Sequence, residues 1–316
     1  MMDQETLYVY TYAFHEDEAE LCGLEQRTWF GGVGSGTGGA AAWLESGLQI
    51  DPSRSPFMKQ RLRVRFEAAG IEGIAKQAAH MHVDVASFKV VFVPADDGLD
   101  YDQRRAMERL VGACIRSRAE MRSPDVRFGI AKVSGRWVFG ELEDQQAVWL
   151  QHKDKPKPYS TALSTRVARA IANIAVPHPE GVRAVDPCCG IGTVVIEALS
   201  MGIAMEAFDK NPLAVLGARE NLRYFGYPNE VGIRDIRDLV GPYDAAVLDL
   251  PYNLCSKLSE ADQLELLASA RRLASRVVVV AIDPIGEQFS KAGLRPVDGC
   301  QIRKGSFCRY VTVCEA

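Results

Sequence analysis

The sequence predicts an α/β domain of the doubly wound type in its C-terminal half, closed by an antiparallel hairpin and preceded by an α+β region. Three observations predict it. Strand-like and helix-like segments alternate from Arg183 onward, the pattern of a parallel sheet covered by helices. Three apolar runs each close on a carboxylate, at Asp186, Asp209 and Asp249. The final stretch, "LRPVDGCQIRKGSFCRYVTVCEA", holds two β-prone runs joined by the short turn "KGS".

The N-terminal region, residues 1–148, mixes element types. "TLYVYTYAF" is strand-like, and "HEDEAELCGLEQRTWF" is helical with acids in its first turn. "RLRVRFEA" alternates strictly, with Leu62, Val64 and Phe66 on one face and Arg61, Arg63 and Arg65 on the other. "IEGIAKQAAHMHV" and "YDQRRAMERLVGACIRS" read as helices, "SFKVVFV" as a strand, and "VRFGIAKVSGRWVFGEL" as a hairpin turned at Ser134-Gly135. No internal repeat is visible. Residues 149–163 are basic, polar and punctuated by Pro156 and Pro158, which predicts an extended linker. Tyr159, Ser160 and Thr161 run on toward "STALSTRVARAIANIAV", whose apolar residues Leu163, Val167, Ile171 and Ile174 have helical spacing.

Within residues 164–316, "VRAVD" is a short strand, "TVVIEALSM" a helix, and "AMEAFD" a second strand. Asn211-Pro212 supplies a cap and a first-turn proline for "LAVLGARENLRYFG". "YDAAVLD" is a strand and "EADQLELLASARRLA" a helix. "RVVVVAI" is a continuous apolar strand suited to the centre of a parallel sheet.

Composition bounds the function classes. With 316 residues, 47% apolar and 25% charged, the chain reads as a soluble globular protein of two domains. No apolar run approaches the roughly 18 residues needed to span a bilayer. "MMDQETLYVY" lacks a basic region followed by an apolar core, so no signal peptide is expected. The eight cysteines form no CxxC pairs, and Cys188-Cys189 are adjacent in a tight loop; all are expected to be reduced, in a cytoplasmic protein. His80 and His82 flank Met81 with no further ligands nearby in sequence, so no metal site is expected. The net charge of −4 neither supports nor excludes a polyanionic partner.

Two glycine-rich stretches compete as a ligand cradle. "FGGVGSGTGG" follows a helix and has no strand before it, so it reads as a loop. "VDPCCGIGTVVIEAL" has the strand–turn–helix context in which helix N-terminal amides face a ligand. Gly190 and Gly192 allow close backbone approach, and Thr193 is placed to cap the helix. Val195 stands where a dinucleotide fingerprint has its third glycine, which argues against a nicotinamide cofactor. Asp209 lies near the roughly 20-residue offset at which an acid meets ribose hydroxyls. Asp235 is either an adenine-amine acceptor or an exposed loop acid.

"DLPYN", directly after a core strand, sets Asp249, Pro251 and Tyr252 at a strand end. It resembles the (Asp/Asn)-Pro-Pro-(Tyr/Phe) motif of class I S-adenosylmethionine-dependent methyltransferases that act on exocyclic base amines, with Leu250 in place of the first proline. "KPKPYSTALSTRVARAIANIA", "VDPCCGIGTVVIEALSMG" and "DLPYNLC" together resemble the THUMP-domain tRNA guanine-N2 methyltransferases, over about Trp149 to Ser256. "SRSPFMKQRLRVRF" and "RFGIAKVSGRWVFGEL" are more weakly similar to that family's ferredoxin-like and THUMP regions. The resemblance implies a Rossmann-like catalytic domain behind an RNA-binding region, S-adenosylmethionine as cofactor, and a tRNA guanosine, usually at position ten, as target. Asp186, Gly190, Gly192 and Thr193 would surround the methionine end and Asp209 the ribose, with Ser160 and Thr161 closing from the linker.

The residue types suit that chemistry. A guanine N2 lone pair is delocalised into the ring; hydrogen bonds to Asp249 and the Leu250 carbonyl would localise it, with Pro251 fixing the turn. Tyr252 would stack on a flipped base. Whether Asp249 also takes the proton is left open. Cys255 reads as a packing residue, because a covalent cytosine mechanism needs its thiol where Tyr252 stands. Lys59, Arg61, Arg63 and Arg65, with Lys153, Lys155 and Lys157, form either a track for RNA phosphates or a solvated face. Methylation of another RNA or of DNA adenine, and a non-catalytic RNA-binding role, are the rival functions. A small activating subunit or homo-oligomerisation is left open.

Overall fold

The computed structural model describes residues 6–32, 40–96, 98–228, 230–251, 258–304 and 307–316. Two compact units emerge: residues 1–13, 41–53 and 57–146 form the first, and residues 14–40, 54–56 and 147–316 the second. In chain order the elements are β1 (Tyr8–Tyr12), α1 (Ala19–Phe30), β2 (Trp43–Ser46), β3 (Met58–Ala68), α2 (Ile71–His80), β4 (Ser87–Phe92), α3 (Tyr101–Gly112), β5 (Arg118–Ala119), β6 (Val126–Val133) and β7 (Arg136–Asp144). They continue with α4 (Thr165–Ala175), β8 (Arg183–Asp186), α5 (Thr193–Ser200), β9 (Ala204–Asp209), α6 (Pro212–Tyr224), β10 (Val231–Ile233), β11 (Tyr243–Asp249), α7 (Glu260–Leu273), β12 (Ala274–Ala281), α8 (Gly286–Lys291), β13 (Arg295–Lys304) and β14 (Phe307–Glu315).

The first unit is a seven-stranded mixed sheet of order β2-β1-β3-β7-β6-β4-β5. The apolar faces of α2 and α3 cover one side, where Ile74, Ala78, Val111, Phe88, Phe128 and Phe139 form a core. Phe66, Phe139 and Phe128 stack across three strands, with centroids 4.8 and 5.2 Å apart. The hairpin at Ser134-Gly135 forms as expected, both residues taking the positive φ that such a two-residue turn requires. Gly140 faces an irregularity in β3 between Val64 and Phe66, where a Cβ would lie 1.7 Å from the Arg63 carbonyl oxygen.

The second unit carries the site. Its sheet has the order β10-β9-β8-β11-β12-β14-β13. β10, β9, β8, β11 and β12 are parallel; β14 runs antiparallel to β12 and pairs with β13, up to Lys304 opposite Phe307. The strand order therefore reverses between β8 and β11, and a crevice opens at the carboxyl ends there.

Two sequence expectations change. The helix predicted over residues 15–30 starts as an α-helix only at Ala19, after a 3-10 turn, and it groups with the second unit, not with an N-terminal region ending at residue 148. Its periodicity requires a buried face but does not say against what. In the fold that face meets α4: the fully buried Glu25 accepts from Asn173 Nδ2 at 2.8 Å and Ser55 Oγ at 2.5 Å, while Arg54 donates to Asn173 and to the Val176 carbonyl. The helix after the linker starts at Thr165, with Ser164 as its cap, so Ser160 and Thr161 lie in a turn before it.

Burial pushes the Glu25 carboxyl up to about 7, although both hydrogen-bond donors favour its ionised form. From the ordinary carboxylate range up to about 7, the folded state holds a proton that the unfolded chain has released. This contribution to stability is therefore lost as pH rises through that window. Thermal melting should show Glu25→Gln losing less stability than wild type between about pH 5 and pH 8; an equal loss would mean Glu25 does not titrate there.

Candidate functional site

A cleft of about 1120 Å³ opens at the carboxyl ends of β8, β9 and β11. Asp186, Asp209 and Asp249 all line it, joined by Gly190, Thr193, Asp235 and Pro251 and, from the linker, Thr161. Tyr252 and Cys255 lie outside the described residues, as does most of the first glycine-rich stretch, residues 33–39. Ser160 is exposed, and neither it nor Gly192 is among the residues lining the cleft.

The three aspartates differ in how far they are satisfied. Asp209 Oδ2 accepts from the Gly190 amide at 2.9 Å and Oδ1 from the Asn211 amide at 2.8 Å, so this carboxylate ties the glycine loop to the start of α6. Asp186 is buried and accepts from the Cys188 amide at 3.2 Å; burial drives its carboxyl well above the usual range, and Asp249 and Asp209 add to the rise. Asp249 is pushed up to about 7 by burial, against the pull of Arg309, and its Oδ1 has no hydrogen-bond partner among the described residues. An orphaned acceptor at a strand end is costly unless a ligand donor reaches it.

The glycine loop differs in detail from the sequence expectation. Gly192, at φ +81°, is the cap residue of α5, and Thr193 is the first helical residue. Thr193 therefore does not cap the helix; its Oγ1 is buried and, among the described residues, has no partner. Asp235 lines the cleft but is already paired: Arg237 donates to both its oxygens, holding its carboxyl down at about 2. Burial pushes the Cys188 and Cys189 thiols up, so neither is a ready nucleophile.

Sequence reasoning missed Arg309, which comes from β14, donates to the Thr161 carbonyl at 3.2 Å and acts electrostatically on Asp249. It also missed the apolar rim formed by Leu213, Leu216 and Tyr159, which remain largely exposed. An exposed leucine in an amphipathic helix carries no local signal of which cleft it borders.

The basic residues are placed less simply than a phosphate track requires. Arg61 is turned into the first unit, paired with Glu143, donating to the Ile50 carbonyl and lying over the Tyr8 ring. Arg65 pairs with Glu141 and lies over Phe128, while Arg63 is 3.9 Å from Glu141 and the more open to solvent. Lys59 approaches Gln145 at 3.5 Å. In the second unit the Lys155 amine turns inward to the His152 carbonyl, Lys157 pairs with Glu220, and Lys153 is exposed. His80 donates from Nδ1 to the Lys76 carbonyl at 2.8 Å, and no group of metal ligands occurs among the described residues. No described helix is long and apolar enough to cross a membrane.

Residues 153–278 match the family described as RMKL-like, methyltransferase domain. The chain is 29% identical over 163 residues to a tRNA (guanine(10)-N2)-dimethyltransferase of Methanothermobacter thermautotrophicus and 28% identical over 131 residues to one of Pyrococcus abyssi. These matches cover 48% and 40% of this chain, and 48% and 39% of the relatives' lengths. Among solved structures, TrmN from Thermus thermophilus is similar over 98% of this chain and 99% of that one, at 17% identity and a TM-score of 0.48. The family match makes residues 153–278 a methyltransferase domain, and the residues lining its cleft fit S-adenosylmethionine: Asp186, Asp209 and Asp249 would hold its charged and hydroxyl groups, and Thr193 Oγ1 and Asp249 Oδ1 have no partner among the described residues.

Gly192→Ala should cost about 1–2 kcal/mol in denaturant unfolding, since a side chain is disfavoured at φ +81° and its Cβ would lie 3.3 Å from Ala218 Cβ. Unchanged stability would mean the loop adopts another backbone.

Proposed function

We propose that the protein is an S-adenosylmethionine-dependent RNA methyltransferase that modifies the N2 amine of a tRNA guanosine, at position ten. The observation that carries this reading is the Asp249 carboxyl, buried at the end of β11 with an oxygen that no described residue satisfies. The residues 153–278 match and the two guanine-N2 relatives support it.

S-adenosylmethionine, when bound, supplies an electrophilic methyl group on a positively charged sulfur. Asp186 and Asp209 line that end of the cleft with carboxyl oxygens, and the Asp209 hydrogen bonds hold the Gly190 backbone in place. Ionised Asp249 would accept an N–H of the guanine amine, localising on nitrogen a lone pair otherwise delocalised into the ring. The Leu250 amide donates to the Val280 carbonyl at 2.9 Å, which fixes the peptide next to the acid while Pro251 sets the following turn. Positioning would then do most of the work: Asp249 and the Leu250 peptide would hold the amine in line with the methyl group, which would pass to nitrogen with S-adenosylhomocysteine as the leaving group, the nitrogen's proton passing to solvent. Tyr252 is assigned to stacking on the base. Arg63 and Lys153, both exposed, are assigned to RNA phosphates.

Because Asp249 must be ionised to accept the amine, kcat/KM should rise with pH and level off above about 7. Asp249→Asn should abolish that limb and lower labelled methyl transfer to a tRNA transcript by about a hundredfold or more. A variant of near-normal rate, or a wild-type rate flat across neutral pH, would remove Asp249 from the reaction. Separately, Arg63→Glu and Lys153→Glu should each weaken tRNA binding and reduce its salt slope by about one ion; binding unchanged in both would place the RNA elsewhere.

A further inference from the structure

Residues 148–164 cross the second unit as a strap, and Lys157, Tyr159, Thr161 and Leu163 of this strap line the cleft. Part of it has no regular hydrogen-bonded structure, so something else must hold it against the glycine loop. The side chain of Asn221 does so. It is fully buried on α6, and its Oδ1 accepts from the Lys157 amide at 2.9 Å. Its Nδ2 donates to the Lys157 carbonyl at 3.1 Å and to the Ile191 carbonyl at 3.0 Å. One amide thus engages both backbone groups of a strap residue and, at the same time, the residue between Gly190 and Gly192.

The surface of α6 is shaped for this meeting. One turn earlier, a Cβ on Gly217 would lie 3.5 Å from Ile191 Cγ2 and 3.7 Å from Lys157 Cβ, so strap and loop both come within van der Waals reach of the helix at the glycine. The strap is held elsewhere as well: His152 Nδ1 is 2.8 Å from Glu197 Oε1 at one end, and Arg309 donates to the Thr161 carbonyl at the other. Only Asn221 joins the strap directly to the glycine loop among the hydrogen bonds described. Only an amide has the donor and acceptor set required. A carboxylate of the same shape would accept from Lys157 but face two carbonyl oxygens.

We propose that Asn221 is a positioning residue that locks the strap and the glycine loop into a single wall of the cleft, and so sets affinity for the cofactor; this rests on the S-adenosylmethionine reading above. Asn221 is fully buried and does not line the cleft. Its loss loosens the wall without removing any group that reacts, so its effect falls on cofactor binding and not on the saturated rate.

The test uses the full chain and S-adenosylhomocysteine as the probe, titrated by calorimetry into wild type, Asn221→Asp and Asn221→Ala, alongside methyl transfer. Both variants should bind about tenfold or more weakly, the loss of two or three hydrogen bonds. Their KM for the methyl donor should rise while kcat at saturation is unchanged. Folded variants that bind as tightly as wild type, or that lose kcat and keep KM, would overturn the proposal. Hydrogen exchange on wild type decides the matter if the variants do not fold. The Lys157 amide should be protected without ligand, and residues 157–163 and 188–193 should gain protection together when the probe is added; free exchange at Lys157 would overturn the clamp. Wild type failing to bind the probe would instead sink the cofactor reading on which the clamp depends, a failure distinct from tight binding by the variants.

Discussion

Three carboxylates crowded at the ends of parallel strands are the constraint around which the second unit is organised. β8, β9 and β11 run in one direction and end together, so Asp186, Asp209 and Asp249 cannot avoid one another. Burying like charges is costly, and backbone amides offset the cost unequally. Asp209 receives two amides, Asp186 one, and Asp249 none among the described residues. That gradient separates structure from chemistry: the best-satisfied acid holds the loop, and the least satisfied is left for a ligand.

The surrounding polar groups keep this arrangement rigid at positions far apart in sequence. Glu197 accepts from Arg169 and faces His152, joining α5 to α4 and to the strap. Glu25 joins α1 to α4 through Asn173. Arg27 forms a two-pronged pair with Asp298, bringing α1 to β13, and Arg276 closes the end of α4 at the Ile174 carbonyl. Buried groups with fixed partners specify one packing of the helices, which loose apolar contacts alone would not do.

Much of the site was legible because its signals are local. An apolar run closing on an aspartate, a glycine pair before a helix and Asn-Pro at a helix start each announce their geometry within a few residues, and Asn211 caps α6 as its type predicts. What the sequence could not show depends on register or on distant partners. The alternation of Arg61, Arg63 and Arg65 is correct, yet nothing in it reveals that Glu141 and Glu143 stand opposite on β7. Asn221 reads as an ordinary helix residue until Lys157 and Ile191 are placed beside it. Thr193 looked like a cap because threonine often is one; the left-handed Gly192 took that place and left the hydroxyl to the cleft. The helix at residue 19 was recognisable as a helix, but its buried face found its partner in α4, across more than a hundred residues of chain.

The most direct measurement is nucleoside mass spectrometry of an unmodified tRNA transcript after incubation with the protein and S-adenosylmethionine, with Asp249→Ala in parallel. N2-methylated guanosine, formed by wild type and absent with the variant, is the predicted result. Methylated adenosine or cytidine, or the same product from the Asp249→Ala protein, would contradict the assignment of that acid to a guanine amine.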